Sequence, residues 1–290
     1  MIENTFKNSW KITKLTFHVM KEDKELILYP ILAGIFSLLF ILALLVPTII
    51  VAIFEQAGIP AFGIIEYLLL FIVYFGLAFI ATFFNTCVVY TAKKRFEGGN
   101  ATPSETFKFA FSKIHLIAMW SALSATVGLL LRVLENMARK AKGLGGVLLH
   151  ILRAMLGLAW SIVTIFVVPA MVYHDLTPFD AIKKSVQVLK KTWGESLVRY
   201  LGLGMIQGLV TFIVLIPLLL LCAWSFMTGA FIALAVVFLI AVIWVTMVTM
   251  VFNIANAIFN TALYEYASSG NVPGGYTKDM LEHAFKDTKK

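Results

Sequence analysis

The sequence predicts an all-α, polytopic transmembrane bundle of about six helices, and three observations support this fold class. Of the 290 residues, 60% are apolar and only 14% are charged, whereas about one-quarter of the residues in soluble domains are charged. Six apolar runs are each long enough to cross about 30 Å of hydrocarbon. The basic residues concentrate in short segments between these runs, as they do in cytoplasmic membrane loops. We therefore expect a single integral membrane domain over residues 1–290.

The positions of the apolar runs give the predicted spans. They lie near residues 27–54, 63–92, 114–134, 147–172, 197–223 and 228–264. About 25 residues rich in Lys and Glu precede the first run. Such a segment is too polar and too long for the n-region of a cleavable signal peptide. The first run is therefore expected to stay in the membrane as a helix.

The distribution of Lys and Arg predicts the orientation. The connections 55–62 and 224–229 contain neither residue type, and most basic residues fall on the other side of the membrane. One predicted outer loop departs from this distribution, because it contains the basic residues Arg132, Arg139, Lys140, Lys142 and Arg153. The positive-inside rule then predicts a multi-pass cell-membrane protein with both termini in the cytoplasm. Residues 269–290 form the predicted cytoplasmic tail, with a short amphipathic helix.

Several functional classes find no support in the sequence. The net charge is +8, but the basic residues belong to membrane loops, so nucleic acid is not an expected partner. Cys87 and Cys222 lie in apolar runs without CxxC spacing, which indicates neither a disulfide nor a metal site. No HExxH, GxSxG, P-loop or dinucleotide motif occurs, and His174-Asp175 is interpreted as a polar loop pair. We expect no enzymatic activity and no cofactor.

A short amphipathic helix is predicted three times along the chain. Thr102-Pro103-Ser104-Glu105 and Thr177-Pro178-Phe179-Asp180 share a Thr N-cap, Pro at the first helical position and a carboxylate at the third. The N-terminal segment has a similar amphipathic pattern. We expect these three helices to lie flat in the inner-leaflet interface, each leading into a membrane hairpin. The resulting repeat units cover roughly residues 1–95, 102–175 and 177–268.

The predicted faces of these helices separate apolar from basic residues. In the N-terminal helix, one face carries Ile2, Phe6, Trp10, Thr13 and Phe17, and the other carries Lys7, Lys11, Lys14, His18 and Lys21. In the next helix, Phe107, Phe111 and Ile114 oppose Lys108, Ser112 and His115. In the last, Ile182, Val186, Leu189 and Trp193 oppose Lys183, Lys184, Lys190 and Lys191. These four lysines either fix the topology or bind anionic lipid or a soluble partner, at about 1 kcal/mol per charge for lipid.

Similar short segments in the first and third units support the repeat. Phe83-Phe84-Asn85-Thr86 is matched by Ile258-Phe259-Asn260-Thr261, and Gly99-Asn100 by Gly270-Asn271. The middle unit departs from the pattern, with Val168 and Pro169 near the place of Asn85. Because an even number of spans separates equivalent points, the repeats run parallel. We expect threefold pseudo-symmetry about the membrane normal.

Four segments resemble a family of archaeal and bacterial six-span membrane proteins of unknown function: Phe6-Lys7-Asn8-Ser9-Trp10, Lys24 to Pro30, Ala81-Thr82-Phe83-Phe84-Asn85 and Lys191-Thr192-Trp193-Gly194-Glu195. The resemblance covers most of the chain and implies the six-span fold. In layout, the chain is also distantly similar to the membrane domain of some glycerophosphodiester phosphodiesterases. The soluble catalytic barrel of those enzymes is absent from this sequence, so the resemblance implies no catalytic residues here.

Polar residues recur within the apolar runs. In the last span they follow a spacing of three and four residues, which places them on one helical face; further polar residues lie in spans two and five. Together the candidates are Thr82, Asn85, Gln207, Thr246, Thr249, Asn253, Asn256 and Asn260. An unpaired amide in hydrocarbon is costly, so we expect this row to face the bundle interior. It either lines a polar pathway or forms interhelical hydrogen bonds of about 0.6 kcal/mol each.

A second polar group is predicted at the outer hairpin between spans three and four. Counting from a turn near Gly143 brings Arg132, Glu135, His150 and Arg153 to similar heights. Glu135 is then expected to pair with Arg153 across the hairpin. The cluster either forms an anion-attracting vestibule or contains arginines that snorkel to the headgroups.

These patterns predict a non-enzymatic membrane protein that organises the membrane or binds partners. The alternative is a channel or transporter for an ion or small solute, lined by the polar row of the last span. Expected partners are membrane lipids, including anionic lipids, and either a second copy of the chain or another protein.

Overall fold

The computed structural model describes residues 25–56, 63–141, 143–193 and 202–282, and within them all regular structure is α-helical. The all-α prediction is therefore confirmed. The helices are α1 (Glu25–Gln56), α2 (Gly63–Phe96), α3 (Pro103–Ser112), α4 (Ile114–Lys140), α5 (Leu144–Val163), α6 (Val167–His174), α7 (Pro178–Trp193), α8 (Gly202–Met227), α9 (Phe231–Ser269) and α10 (Lys278–Glu282).

Six stretches of the described residues are long and apolar enough to cross a membrane, as the sequence predicts. They are Glu25–Ile49, Tyr67–Phe96, Ile114–Lys140, Leu144–His174, Gln207–Met227 and Phe231–Ser269. The fourth stretch differs from the prediction because it consists of two helices, α5 and α6, separated at Thr164–Phe166. Pro169 lies in the first turn of α6. Proline is tolerated there because the N–H groups of the first turn have no hydrogen-bond partner within the helix.

The chain forms two compact units. Among the described residues, the central unit runs from Leu28 to Leu189, and the terminal unit combines residues 25–27 with residues 190–193 and 202–282. In the central unit, α2 packs against α3, α4 and α6, and α4 packs against α5. In the terminal unit, α8 and α9 form a hairpin and α10 contacts α9. The three repeat units remain a sequence prediction.

The core of the central unit gathers around the C-terminal third of α2. Val89 packs with Val168 and Val172 of α6, and Tyr90 stacks on Phe109 of α3 with ring centroids 4.2 Å apart. Near the middle of α2 the contact with α1 is a close one. A Cβ atom on Gly76 would overlap the ring of Phe40, so glycine lets this ring pack directly against the backbone of α2.

The core of the terminal unit lies in the C-terminal half of α9. Ile258, Phe259 and Leu263 are buried there, whereas most large apolar residues nearer the start of α9 are exposed. The ring of Tyr276 lies beside Phe259, with centroids 6.1 Å apart. Tyr266 donates a hydrogen bond of 2.9 Å to Glu282, which fixes α10 against the end of α9. This short helix lies in the tail for which an amphipathic helix is predicted.

The capping motifs form as predicted. The backbone N–H of Thr102 donates to Glu105 at 3.0 Å, and the N–H of Glu105 donates back to the Thr102 hydroxyl at 3.3 Å. The backbone hydrogen bond lowers the pKa of Glu105, with smaller contributions from the Thr102 hydroxyl and two nearby lysines. In α7, the hydroxyl of Thr177 accepts from the N–H of Asp180 at 3.4 Å and donates to its carboxylate at 2.7 Å.

The faces of α3 and α7 differ from the two-sided prediction because each helix has a third face of small residues. Thr106 and Ala110 are buried in α3, and Ala181 and Ser185 are buried in α7. The Ser185 hydroxyl accepts a hydrogen bond from the backbone N–H of Phe166 at 3.2 Å. The predicted apolar residues are only partly covered: Phe107, Ile182 and Val186 are half-buried, Leu189 is buried, and Phe111 and Ile114 are exposed. The N-terminal helix predicted over Ile2–Lys21 lies outside the described residues.

Candidate functional site

The hairpin of α4 and α5 brings the predicted outer polar cluster together. Trp120 of α4 stacks on Trp160 of α5 with ring centroids 5.7 Å apart, which aligns the two helices. Near the turn, a Cβ atom on Gly146 would lie 2.6 Å from the carbonyl oxygen of Ala141, so the chain reverses tightly there. Gly143 adopts a φ of 63°, a left-handed conformation that glycine accommodates without strain.

Glu135 is the centre of this cluster. Its Oε2 lies 3.3 Å from Nε of Arg153, and its Oε1 accepts a hydrogen bond of 3.2 Å from Nε of Arg139. The Nδ1 of His150 lies 3.9 Å from Oε2, an ion pair only when the imidazole is protonated. The Glu135 side chain is 17% exposed, whereas the Arg153 side chain is 47% exposed. The pair expected between Glu135 and Arg153 is therefore present.

A groove of about 410 Å³ opens beside this cluster, between α2, α4 and α5. We call it the arginine groove. Its mouth is formed by Arg132, Glu135, Arg139 and Arg153, and its walls by Tyr74, Leu77, Ala78, Ser124, Ala125, Gly128 and Leu131. Gly128 faces the ring of Tyr74, which would lie 3.3 Å from an added Cβ atom. A larger residue at 128 would therefore crowd the groove.

The mouth of the groove carries excess positive charge. Three arginines and one glutamate leave two positive charges uncompensated. Arg132 makes no ion pair or hydrogen bond to any residue that the structure describes. A guanidinium presents a planar set of donors that matches the oxygens of phosphate or carboxylate groups. The groove therefore combines a positively charged mouth with walls that are mainly apolar.

Sequence reasoning missed most of the residues that line this groove. Tyr74, Ser124 and Gly128 were not candidates, and Arg139 was considered only for the charge of its loop. The spacing within α4 and α5 indicates which residues lie at the same level along the hairpin. No local pattern shows that α2 packs beside them. The small residues Ser124 and Gly128 were the available signal, because such residues favour close helix contacts in membranes.

The polar row of α9 is covered only toward its C-terminal end. Thr246, Thr249 and Asn253 are exposed, and Asn256 and Asn260 are half-buried. The hydroxyl of Thr246 donates to the carbonyl of Val242 at 2.8 Å, within its own helix. Elsewhere, Thr82 is buried in α2, while Asn85 and Gln207 are half-buried. The predicted inward orientation thus applies to the C-terminal end of the row, and the rest of it faces outward.

The predicted basic face of α7 is largely exposed. Lys183, Lys190 and Lys191 are exposed, Lys184 is half-buried, and Lys183 lies 3.7 Å from Asp180. In the terminal unit, Lys191 also borders a cavity of about 770 Å³ at the ends of α9 and α10, together with Thr192, Tyr266, Ala267, Ser268, Ser269, Gly270, Lys278 and Glu282. Across the described residues, no group of three or more His, Cys, Asp or Glu side chains is arranged to hold a metal ion.

Six apolar spans and an all-helical fold define the class: this is a polytopic α-helical membrane protein. Residues 64–274 match the model of a family of unknown function (DUF6159). Since the match covers more than half of the chain, the protein belongs to this family. No curated protein matches the sequence.

Proposed function

We propose that the protein is a non-catalytic membrane bundle that organises lipid by holding an anionic lipid in the arginine groove. One observation supports this proposal most strongly: a net positive mouth continues into a mainly apolar groove of about 410 Å³. That volume is within the range of small-molecule sites. The lipid phosphate would contact Arg132 and Arg153, and an acyl chain would lie against Leu77 and Leu131.

The proposed orientation places this lipid in the outer leaflet. The positive-inside rule puts the lysines of α7 on the cytoplasmic side and the hairpin turn near Gly143 on the opposite side. The exposed Lys183, Lys190 and Lys191 would then attract anionic headgroups in the inner leaflet. The bundle would contact anionic lipid from both leaflets, by a groove on one side and by an open basic face on the other.

The competing function is a channel or transporter along the polar row of α9. The exposure of Thr246, Thr249 and Asn253 favours a contact surface over an enclosed pathway. Flux through purified protein in liposomes tests this alternative directly. A pathway along the row predicts that replacing Asn253 and Asn256 with Leu abolishes flux, whereas the lipid-organising function predicts no flux in either protein.

Lipid retention tests the proposed function. Arg132→Gln removes one groove charge without leaving a carboxylate unpaired, and Lys140→Gln is the matched control, because Lys140 is exposed on the same hairpin outside the groove. Arg132→Gln should lower the retained anionic phospholipid about fivefold, since a net hydrogen bond contributes about 1 kcal/mol.

Lys140→Gln should retain as much anionic lipid as the wild-type protein. Equal retention in all three proteins would refute the proposal. Competition with inorganic phosphate separates a lipid site from a site for free phosphate: an acyl chain in the groove predicts that millimolar phosphate leaves the lipid bound. Displacement by phosphate would assign the mouth to a soluble anion instead.

A further inference from the structure

The outward part of the α9 row is a polar surface in a long apolar helix. No charged residue interrupts α9 between Phe231 and Tyr264. Asn253 lies 12 residues before the half-buried Glu265, or about 18 Å along the helix axis. With Glu265 at the headgroup level, Asn253 is therefore inside the hydrocarbon layer. There its side chain is exposed and makes no hydrogen bond to any described residue.

An exposed amide at this depth is unfavourable, because acyl chains offer neither hydrogen-bond donors nor acceptors. Thr249 lies one helical turn before Asn253 and Asn256 one turn after it, so the polar surface is continuous along the helix. A neighbouring side of α9 is already occupied: Val248 and Phe252 pack with Val210 of α8. Thr249 and Asn253 are exposed beside this contact, where a further helix could pack.

We propose that this row is a self-association interface, on which α9 of a second copy packs in parallel. An Asn side chain both donates and accepts hydrogen bonds, so it is complementary to itself. In a dimer with twofold symmetry about the membrane normal, the same residue of each copy meets near the axis. Asn253 would then pair with Asn253 of the partner subunit, and the donors and acceptors left open within one chain would be satisfied.

Site-specific crosslinking in membranes tests this interface. Thr249→Cys is the reporter, in a chain whose native cysteines are removed by Cys87→Ala and Cys222→Ala. Met247→Cys is the matched control: Met247 is 57% exposed and lies only two residues away, on nearly the opposite side of the helix. A short thiol-specific crosslinker should join Thr249→Cys into a species of twice the monomer mass and leave Met247→Cys monomeric.

A second substitution tests the role of the amide. In the Thr249→Cys background, Asn253→Leu should raise the dissociation constant of the dimer about three- to thirtyfold, as expected for loss of an interhelical hydrogen bond. Asn253→Gln, which keeps the amide, should restore crosslinking in part. Equal crosslinking at positions 247 and 249, no dimer at 249, or a dimer unaffected by Asn253→Leu would each overturn the proposal.

Discussion

The central and terminal units differ in where their polar side chains find partners. In the central unit, Glu135 is mostly buried and contacts Arg139 and Arg153 within the same hairpin. In the terminal unit, Thr249 and Asn253 are exposed on α9. An ionised carboxylate is too costly to bury without cationic partners, so its ion pairs must form within the chain. A neutral amide without a partner costs less free energy than an unpaired charge, so it can remain exposed in one chain and bind a partner from outside.

The largest expected effect comes from removing the central carboxylate. Glu135→Ala removes the acidic partner of Arg139 and Arg153, so it should lower the free energy of unfolding by about 1–3 kcal/mol. Asn253→Leu should change the stability of the monomer by less than about 0.5 kcal/mol, because Asn253 has no hydrogen bond to lose among the described residues.

Denaturant unfolding in detergent measures both changes. Glu135→Gln, which keeps a hydrogen-bond acceptor for the arginines, serves as the control and should lose less stability than Glu135→Ala. If Asn253→Leu destabilised the monomer as much as Glu135→Ala, the contrast between the two units would be wrong.

The next effect concerns the shape of the arginine groove. Gly128→Leu would push into Tyr74 and fill the groove while leaving every arginine in place. Occupancy by anionic lipid should fall about tenfold, equivalent to about 1.4 kcal/mol. Gly157→Leu is the matched control, because an added Cβ atom on Gly157 of α5 meets open space. Native mass spectrometry of the two variants measures bound lipid, and equal lipid occupancy would show that the groove does not hold it.

A smaller effect is expected from the lysines of α7. Lys183→Gln and Lys190→Gln remove charges from an exposed face, where each contributes about 1 kcal/mol to attraction of an anionic surface. Anionic lipid around the protein should become less enriched and less sensitive to salt, while groove occupancy stays constant. Spin-labelled lipids measure this enrichment. A change in groove occupancy would indicate that the two lipid contacts are not independent.

The smallest effect is a pH dependence at the start of α3. The Thr102 backbone hydrogen bond lowers the pKa of Glu105 in the folded protein. The cap therefore stabilises the fold above the ordinary glutamate pKa, and this contribution disappears as the pH falls through the lowered, folded-state pKa. Thermal unfolding of the wild-type protein and of Glu105→Gln should converge at acidic pH and differ near neutrality.

The terminal unit provides an internal comparison for this pH effect. The hydroxyl of Thr277 accepts a hydrogen bond of 3.3 Å from the N–H of Met280, a residue without a carboxylate. Thr277→Ala should therefore lower the stability by the same amount at acidic and at neutral pH, because Met280 has no carboxylate to protonate. A constant difference between the wild-type protein and Glu105→Gln at every pH would contradict the role of the Glu105 carboxylate.

Much of the fold could be predicted because single residues with strong local preferences mark it. The two Thr-Pro segments determine where α3 and α7 begin, and the long uncharged runs determine the spans. The ion pair between Glu135 and Arg153 could also be predicted, since counting residues from a turn near Gly143 is enough to align a helical hairpin.

Lateral packing could not be predicted, since within a membrane hydrophobicity does not distinguish residues that face another helix from residues that face lipid. Phe111 is 59% exposed and Phe179 is 63% exposed, whereas the small residues Thr106 and Ser185 are fully buried. Helices in lipid approach one another through small residues, so large apolar residues are free to face the acyl chains. The same reason explains why the contribution of α2 to the arginine groove was missed.

The selectivity of the arginine groove for lipid headgroups tests the central claim most directly. Wild-type protein in nanodiscs that mix anionic and zwitterionic phospholipids should bind the anionic lipid about tenfold more tightly, and Arg132→Gln combined with Arg153→Gln should remove this preference. Identical binding of both lipids to the wild-type protein, or a preference that survives the double substitution, would contradict the account.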